Sequence, residues 1–134
     1  MRKLVSVFIF TLLFSGSAFA QFKIENKRPV FGVTGKNVVT VPHEGLWSVA
    51  TGWQDDWMCG WKHADPQNVE QSGEWTILSG CMQLPEGDLI LRDSYRQIRD
   101  GLVQCVRRYE WAGKETLKNV TLSVRLKMEG DNMM

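Results

Sequence analysis

Three tryptophans, Trp53, Trp57 and Trp61, recur at intervals of four in a segment that also holds Gln54, Asp55, Asp56, Lys62 and His63. Flat indole faces can lie against the C–H faces of sugar rings, while neighbouring carboxylates, amides and imidazoles bind hydroxyl groups. Trp53, Trp57, Trp61, Asp55, Asp56 and His63 are therefore the candidate ligand-binding residues. A spacing of four keeps side chains on one side of a helix, and an even spacing keeps them on one side of a strand. Both readings predict one shared aromatic surface. The competing reading is packing: the rings lie under a loop or against another domain. Burying one Trp removes about 150–250 Å² from water, or roughly 4–6 kcal/mol before entropy costs. Trp75 and Trp111 fit strand alternation and are expected in the core, with Trp47.

Acid catalysis is the sharper chemical reading. Glycoside hydrolysis needs two carboxyl groups across the scissile bond, and Asp55, Asp56, Asp65, Glu70, Glu74, Glu86 and Asp93 are available. A solvated acidic loop explains the same residues, so no catalytic residue is assigned and the chain is read as non-catalytic by itself. A Cys59–His63 nucleophile would need the two side chains in contact. No nucleophile elbow, phosphate loop or zinc motif is present, and no metal or cofactor is expected. Cys59, Cys81 and Cys105 make an odd set, so one at least is free or pairs between chains. Cys59–Cys81 is the first choice of disulfide, since Cys105 lies in a strand pattern; three reduced buried thiols are the alternative. Arg92, Arg96, Arg99, Arg107 and Arg108 crowd the second half, where surface pairing with acids accounts for most of them. Asn119-Val120-Thr121 fits a glycosylation sequon and is assigned no role.

The N-terminus predicts export. Arg2 and Lys3 precede an apolar run from Leu4 to Phe14, and Ala18-Phe19-Ala20 forms a small-x-small cleavage site. That is a signal peptide over residues 1–20, too short in its apolar part to span a bilayer. The exported part, 21–134, has 114 residues, enough for a single domain. Of the 16 basic residues, 14 remain once Arg2 and Lys3 are removed, against 15 acidic, a net charge of −1. No basic stripe favours nucleic acid, and no later apolar run predicts a membrane span. The expected site is periplasmic or extracellular.

The elements that must position these residues read as strands. Phe22 to Asn26 is a short edge strand. Val30–Thr34 and Val38–Val41 are β-branched runs around a turn at Gly35-Lys36-Asn37, and Pro42-His43-Glu44-Gly45 is a second turn before a strand over Leu46–Thr51. A long Trp-rich loop follows. Trp75 to Leu84 is a strand kinked at Gly80. Leu89, Leu91, Asp93 and Tyr95 alternate with Ile90, Arg92 and Ser94, and Asp100-Gly101 is a hairpin signal. Val103, Cys105, Tyr109 and Trp111 share the next inward face. Val120 to Met128 is the cleanest alternation, predicted as one half-buried antiparallel strand. With no amphipathic helix, the expected fold is all-β, an antiparallel β-sandwich of seven or eight strands, with a closed barrel as the alternative.

Several strings carry a family resemblance: Val41-Pro42-His43-Glu44-Gly45-Leu46-Trp47-Ser48-Val49-Ala50-Thr51-Gly52-Trp53, Trp61-Lys62-His63-Ala64, Gly73-Glu74-Trp75-Thr76, Leu84-Pro85-Glu86-Gly87-Asp88 and Arg107-Arg108-Tyr109-Glu110-Trp111. Together they resemble the N-terminal β-rich region, of unknown function, of large exported glycoside-hydrolase-like proteins from polysaccharide-degrading anaerobic bacteria. The resemblance spans most of Phe22 to Met128. It implies a carbohydrate setting, a polysaccharide or oligosaccharide as partner, and a C-terminal catalytic domain beyond this chain. It supplies no catalytic residue. Two functions follow: an accessory domain in carbohydrate processing, or an interdomain or protein–protein interaction module without sugar affinity.

Overall fold

A computed structural model of the chain describes residues 5–13, 20–33, 36–118 and 120–129. Among them are twelve strands and no helix. Five form one antiparallel sheet in the order β1 (Val5–Leu13), β10 (Leu102–Trp111), β9 (Gly87–Arg99), β8 (Trp75–Leu84), β7 (Asn68–Ser72). A three-stranded sheet runs β11 (Thr121–Val124), β5 (Trp47–Gln54), β6 (Trp57–Ala64). A four-stranded sheet runs β12 (Lys127–Met128), β4 (Lys36–Thr40), β3 (Arg28–Val33), β2 (Ala20–Glu25). Phe31 and Val39 of the four-stranded sheet, Trp47 and Val49 of the three-stranded sheet, and Leu78, Leu91 and Tyr95 of the five-stranded sheet meet in one core. The arrangement is the β-sandwich-like, all-β fold that the alternation predicts.

The strands form where period-two patterning and turn chemistry agree. Along β9, Leu89, Leu91, Asp93 and Tyr95 are buried while Ile90 and Arg92 are exposed. β9 and β10 are joined through Asp100-Gly101, with Gly101 at φ 74°. The Pro42–Gly45 turn closes with the Gly45 amide donating to the Pro42 carbonyl at 3.1 Å.

Four expectations need correction, and one strand lies where none was assigned. That strand is Val5–Leu13, within the segment read as a signal peptide; it pairs with β10 from Val5 opposite Glu110 to Leu13 opposite Leu102, and its β-branched and aromatic residues suit an extended strand. Lys36 and Asn37 belong to β4 rather than to a turn, and Gly35 lies outside the described residues. The Trp-rich stretch is a hairpin, β5–β6, followed by the edge strand β7, instead of a loop. Gly80 makes no kink: it pairs in register with Leu91. A Cβ there would come within 2.8 Å of the Trp47 ring, so the glycine makes room for the indole. The Val120–Met128 run is divided: β11 pairs with β5 and β12 with β4, so the chain changes sheets at Arg125 and Leu126. Met128 is consequently exposed, while Val120, Leu122 and Leu126 pack on the core.

At the centre of the core is an ion pair. Arg107 donates from Nε to Asp93 Oδ1 at 2.6 Å and from Nη2 to Oδ2. Trp47 Nε1 and Tyr95 Oη also donate to Asp93 Oδ2, at 3.0 and 3.2 Å. Burial by itself would lower the Arg107 pKa; the hydrogen bonds and charge of Asp93 outweigh it and raise it. Arg107, grouped with the surface arginines on sequence, is thus 1% exposed.

Candidate functional site: an aromatic hairpin

The β5–β6 hairpin begins inside the sandwich and ends outside it. Trp47 to Ala50 are buried, Thr51 and Gly52 half-buried, and Trp53 and Gln54 exposed. β6 is exposed except for its half-buried Cys59 and Ala64. The tip is a two-residue turn with Asp55 at φ 49° and Asp56 at φ 64°. Two successive left-handed residues give the turn whose twist matches the flanking strands, and Asp tolerates that conformation better than most residues. Asp55 and Asp56 therefore have a local backbone role at the hairpin tip.

Strand pairing sorts the tryptophans. Trp53 is opposite Met58, Gln54 opposite Trp57, Gly52 opposite Cys59, and Ala50 opposite Trp61. Residues opposite one another share a face. Trp57, Cys59, Trp61 and His63 thus lie on one face, and Trp53 and Met58 on the other. The single surface expected for Trp53, Trp57 and Trp61 is not formed, because the turn between Gln54 and Trp57 reverses the chain and places Trp53 out of phase. Trp57 is 79% exposed, Trp53 55% and Trp61 38%.

The inner end of this row is held in place. The Trp61 and His63 rings lie 6.2 Å apart at an interplanar angle of 8°. His63 Nδ1 is 2.8 Å from Ser48 Oγ on the paired strand. Ser48 is 1% exposed, so its hydroxyl orients the imidazole and has no access to a substrate. Nothing about Ser48 in the sequence marks it for this role. Trp57 and Trp61 are four residues apart along a strand, about 13 Å at roughly 3.3 Å per residue. The exposed row suits an extended ligand better than a compact one.

The same spacing removes the Cys59–His63 nucleophile, since those two residues also stand about 13 Å apart along the strand. The expected Cys59–Cys81 disulfide is absent: Cys59, Cys81 and Cys105 are all free. Cys59 lies on the outer hairpin face opposite Gly52, and Cys81 lies on β8 opposite Ile90.

Four of the candidate carboxylates are engaged by other groups. Asp65 binds Arg28 and accepts the Leu46 amide at 3.1 Å. Glu70 faces Arg92 at 3.6 Å, Glu74 faces Arg96 at 3.9 Å, and Asp93 is in the core. Glu86 and Glu115 line one cavity of about 160 Å³, well below the roughly 300 Å³ at which ligand clefts begin. A larger opening of about 710 Å³ includes Arg28, Glu44, Arg125 and Glu129. Its charges are engaged by one another or by neighbours, Arg125 with Glu44 at 3.7 Å and Lys127 with Glu129 at 3.0 Å. Among the described residues, no group of three or more His, Cys, Asp or Glu side chains is placed to hold a metal ion.

Trp75 departs from its expected core position. It lies on the outer face of the five-stranded sheet, with the Arg96 guanidinium 4.7 Å from its ring centre. Trp111 packs against the core and donates from Nε1 to the Glu115 carbonyl at 2.7 Å.

No family model, curated protein or solved structure matches the chain.

Proposed function

We propose that this chain is an exported accessory domain of carbohydrate processing, non-catalytic by itself, that binds a sugar chain along the Trp57–Trp61–His63 face of the β5–β6 hairpin. The observation that carries the reading is Trp57, 79% exposed at the end of a row whose inner member is fixed by stacking and by Ser48. Leaving such a ring in water forgoes several kcal/mol of burial, which a binding role offsets. The resemblance to N-terminal regions of glycoside-hydrolase-like proteins supports the same setting, with a catalytic domain in a longer parent protein. Export rests on the signal-peptide pattern of residues 1–20. Mass spectrometry of the secreted product checks it, with Gln21 expected as the first residue.

A second reading is favoured by one specific observation. Trp53 and Met58 are exposed on the opposite face, so both sides of the hairpin tip are apolar, as an element inserted between two protein surfaces would be. A glycan array with wild-type protein and the Trp53→Ala, Trp57→Ala and Trp61→Ala variants separates the two. The carbohydrate reading expects weak binding that Trp57→Ala and Trp61→Ala abolish and Trp53→Ala preserves. No glycan signal from wild-type protein, with all three variants folded, leaves the interaction module as the reading.

A further inference from the structure

We infer that the outer face of the five-stranded sheet holds a second site, for a carboxylate or sulfate carried on a sugar-sized skeleton, between Arg92 and Arg108. This site is independent of the tryptophan hairpin. Arg92 on β9 and Arg108 on β10 are direct cross-strand partners. Like charges placed opposite one another in this way destabilise a sheet, so the pair costs stability unless an anion lies between them. Glu70 answers Arg92 only at 3.6 Å, longer than a charge-assisted hydrogen bond, and is itself largely exposed. Arg108 makes no ion pair among the described residues.

The surroundings supply the rest of a site. A cavity of about 280 Å³ is lined by both arginines together with Ser94, Trp75, Ile77 and Val106. Two planar guanidinium forks match the two or three oxygens of a carboxylate or sulfate. Ile77 is buried and Val106 half-buried, and together they form the apolar part of the lining, against which the C–H face of a ring can lie. Trp75 forms a wall, its ring covered by the Arg96 guanidinium, which itself faces Glu74 at 3.9 Å. The Ser94 hydroxyl can donate to a further oxygen. At about 280 Å³ the volume is at the lower limit of ligand clefts, roughly 300 Å³, which suits one acidic unit rather than a long chain, and the shared chemistry is an oxyanion beside an apolar ring face.

Calorimetric titration of the wild-type protein, with Arg92→Gln and Arg108→Gln variants, tests this directly. The probes are an oligouronate, a sulfated oligosaccharide, a neutral oligosaccharide and inorganic sulfate. At least one acidic saccharide is expected to bind, more weakly as salt rises, with affinity reduced tenfold or more in each variant. Uronate binding without the sulfated ligand identifies the carboxylate as the recognised group, and the reverse identifies the sulfate. The melting temperatures of both variants should equal or exceed that of wild type, because each removes half of a repulsive pair. Absence of binding by both acidic saccharides overturns the inference. So does binding that survives both substitutions, or inorganic sulfate bound as tightly as either saccharide. Loss of neutral-sugar binding in Trp57→Ala, with acidic-sugar binding retained, is the expected sign that the sites are separate.

Discussion

Two tryptophans ten residues apart in sequence have opposite physical roles. Trp47 is 1% exposed and hydrogen-bonded through Nε1 to Asp93. Trp57 is 79% exposed. Trp47→Ala removes a large ring from a packed interior and leaves an Asp93 oxygen short of a donor, so a loss of about 3–5 kcal/mol is expected. Trp57→Ala removes a ring that touches mainly water and should cost no more than about 0.5 kcal/mol. Denaturant melts of the two variants check this. Comparable losses would mean that the hairpin tip packs on something within the chain. His63 is intermediate in character: it is solvent-facing, yet stacked on Trp61 and anchored to a buried serine hydroxyl.

At the scale of the element, the hairpin depends on β8 beneath it. Gly80 lies opposite Leu91 in an unbroken strand, and the Trp47 ring occupies the space a side chain would need. A Cβ at Gly80 would approach Trp47 Cζ3 to 2.8 Å and the Gln67 backbone nitrogen to 3.3 Å. Trp47 cannot easily retreat, because its indole is tied to Asp93. Gly80→Ala is therefore expected to destabilise the protein by about 1–3 kcal/mol, the usual cost of overpacking. It should also loosen the adjacent hairpin, read as a change in tryptophan fluorescence. An unchanged melting curve would show that the indole can move aside. The edge at β10 raises a related question of element pairing. β1 occupies it along nine residues, and the same residues carry the export pattern, so processing at Ala20 would expose the β10 edge.

For the whole molecule, the buried polar centre makes stability sensitive to alkaline pH. Burial first, and then the Asp93 charge, pushes the Cys105 thiol up to about 12. Burial and Asp93 also raise Tyr95 well above its usual value. Burial raises Tyr109 in the same direction. These groups fold in their neutral forms. Their contribution is intact below the unfolded thiol value of about 9 and is lost as pH climbs toward the folded values. Stability should thus fall between about pH 9 and 12, each such group adding at most about 1.4 kcal/mol per pH unit. Cys105→Ala should start less stable but show a shallower decline from about pH 9 to 10, before unfolded tyrosines titrate. Chemical denaturation across that range is the measurement, and an identical slope in both proteins would remove Cys105 from the account.

The chain's local patterning determined its all-β class, the β9–β10 hairpin and most inward faces, because period-two alternation and Asp-Gly turn chemistry act over a few residues. It also marked the tryptophan segment as unlike its neighbours. Tertiary structure decided what that segment became. A spacing of four could not reveal that Asp55 and Asp56 reverse the chain and separate Trp53 from Trp57 and Trp61. Nor could it show Ser48 holding His63 across the strand pair. Arg107 and Arg108 are neighbours in sequence with no local difference to distinguish them. One strand's pleat sends the first to Asp93 in the core and leaves the second beside Arg92 at the surface. The choice depends on which face of β10 meets the opposing sheet, a long-range packing relation that local sequence patterns cannot supply.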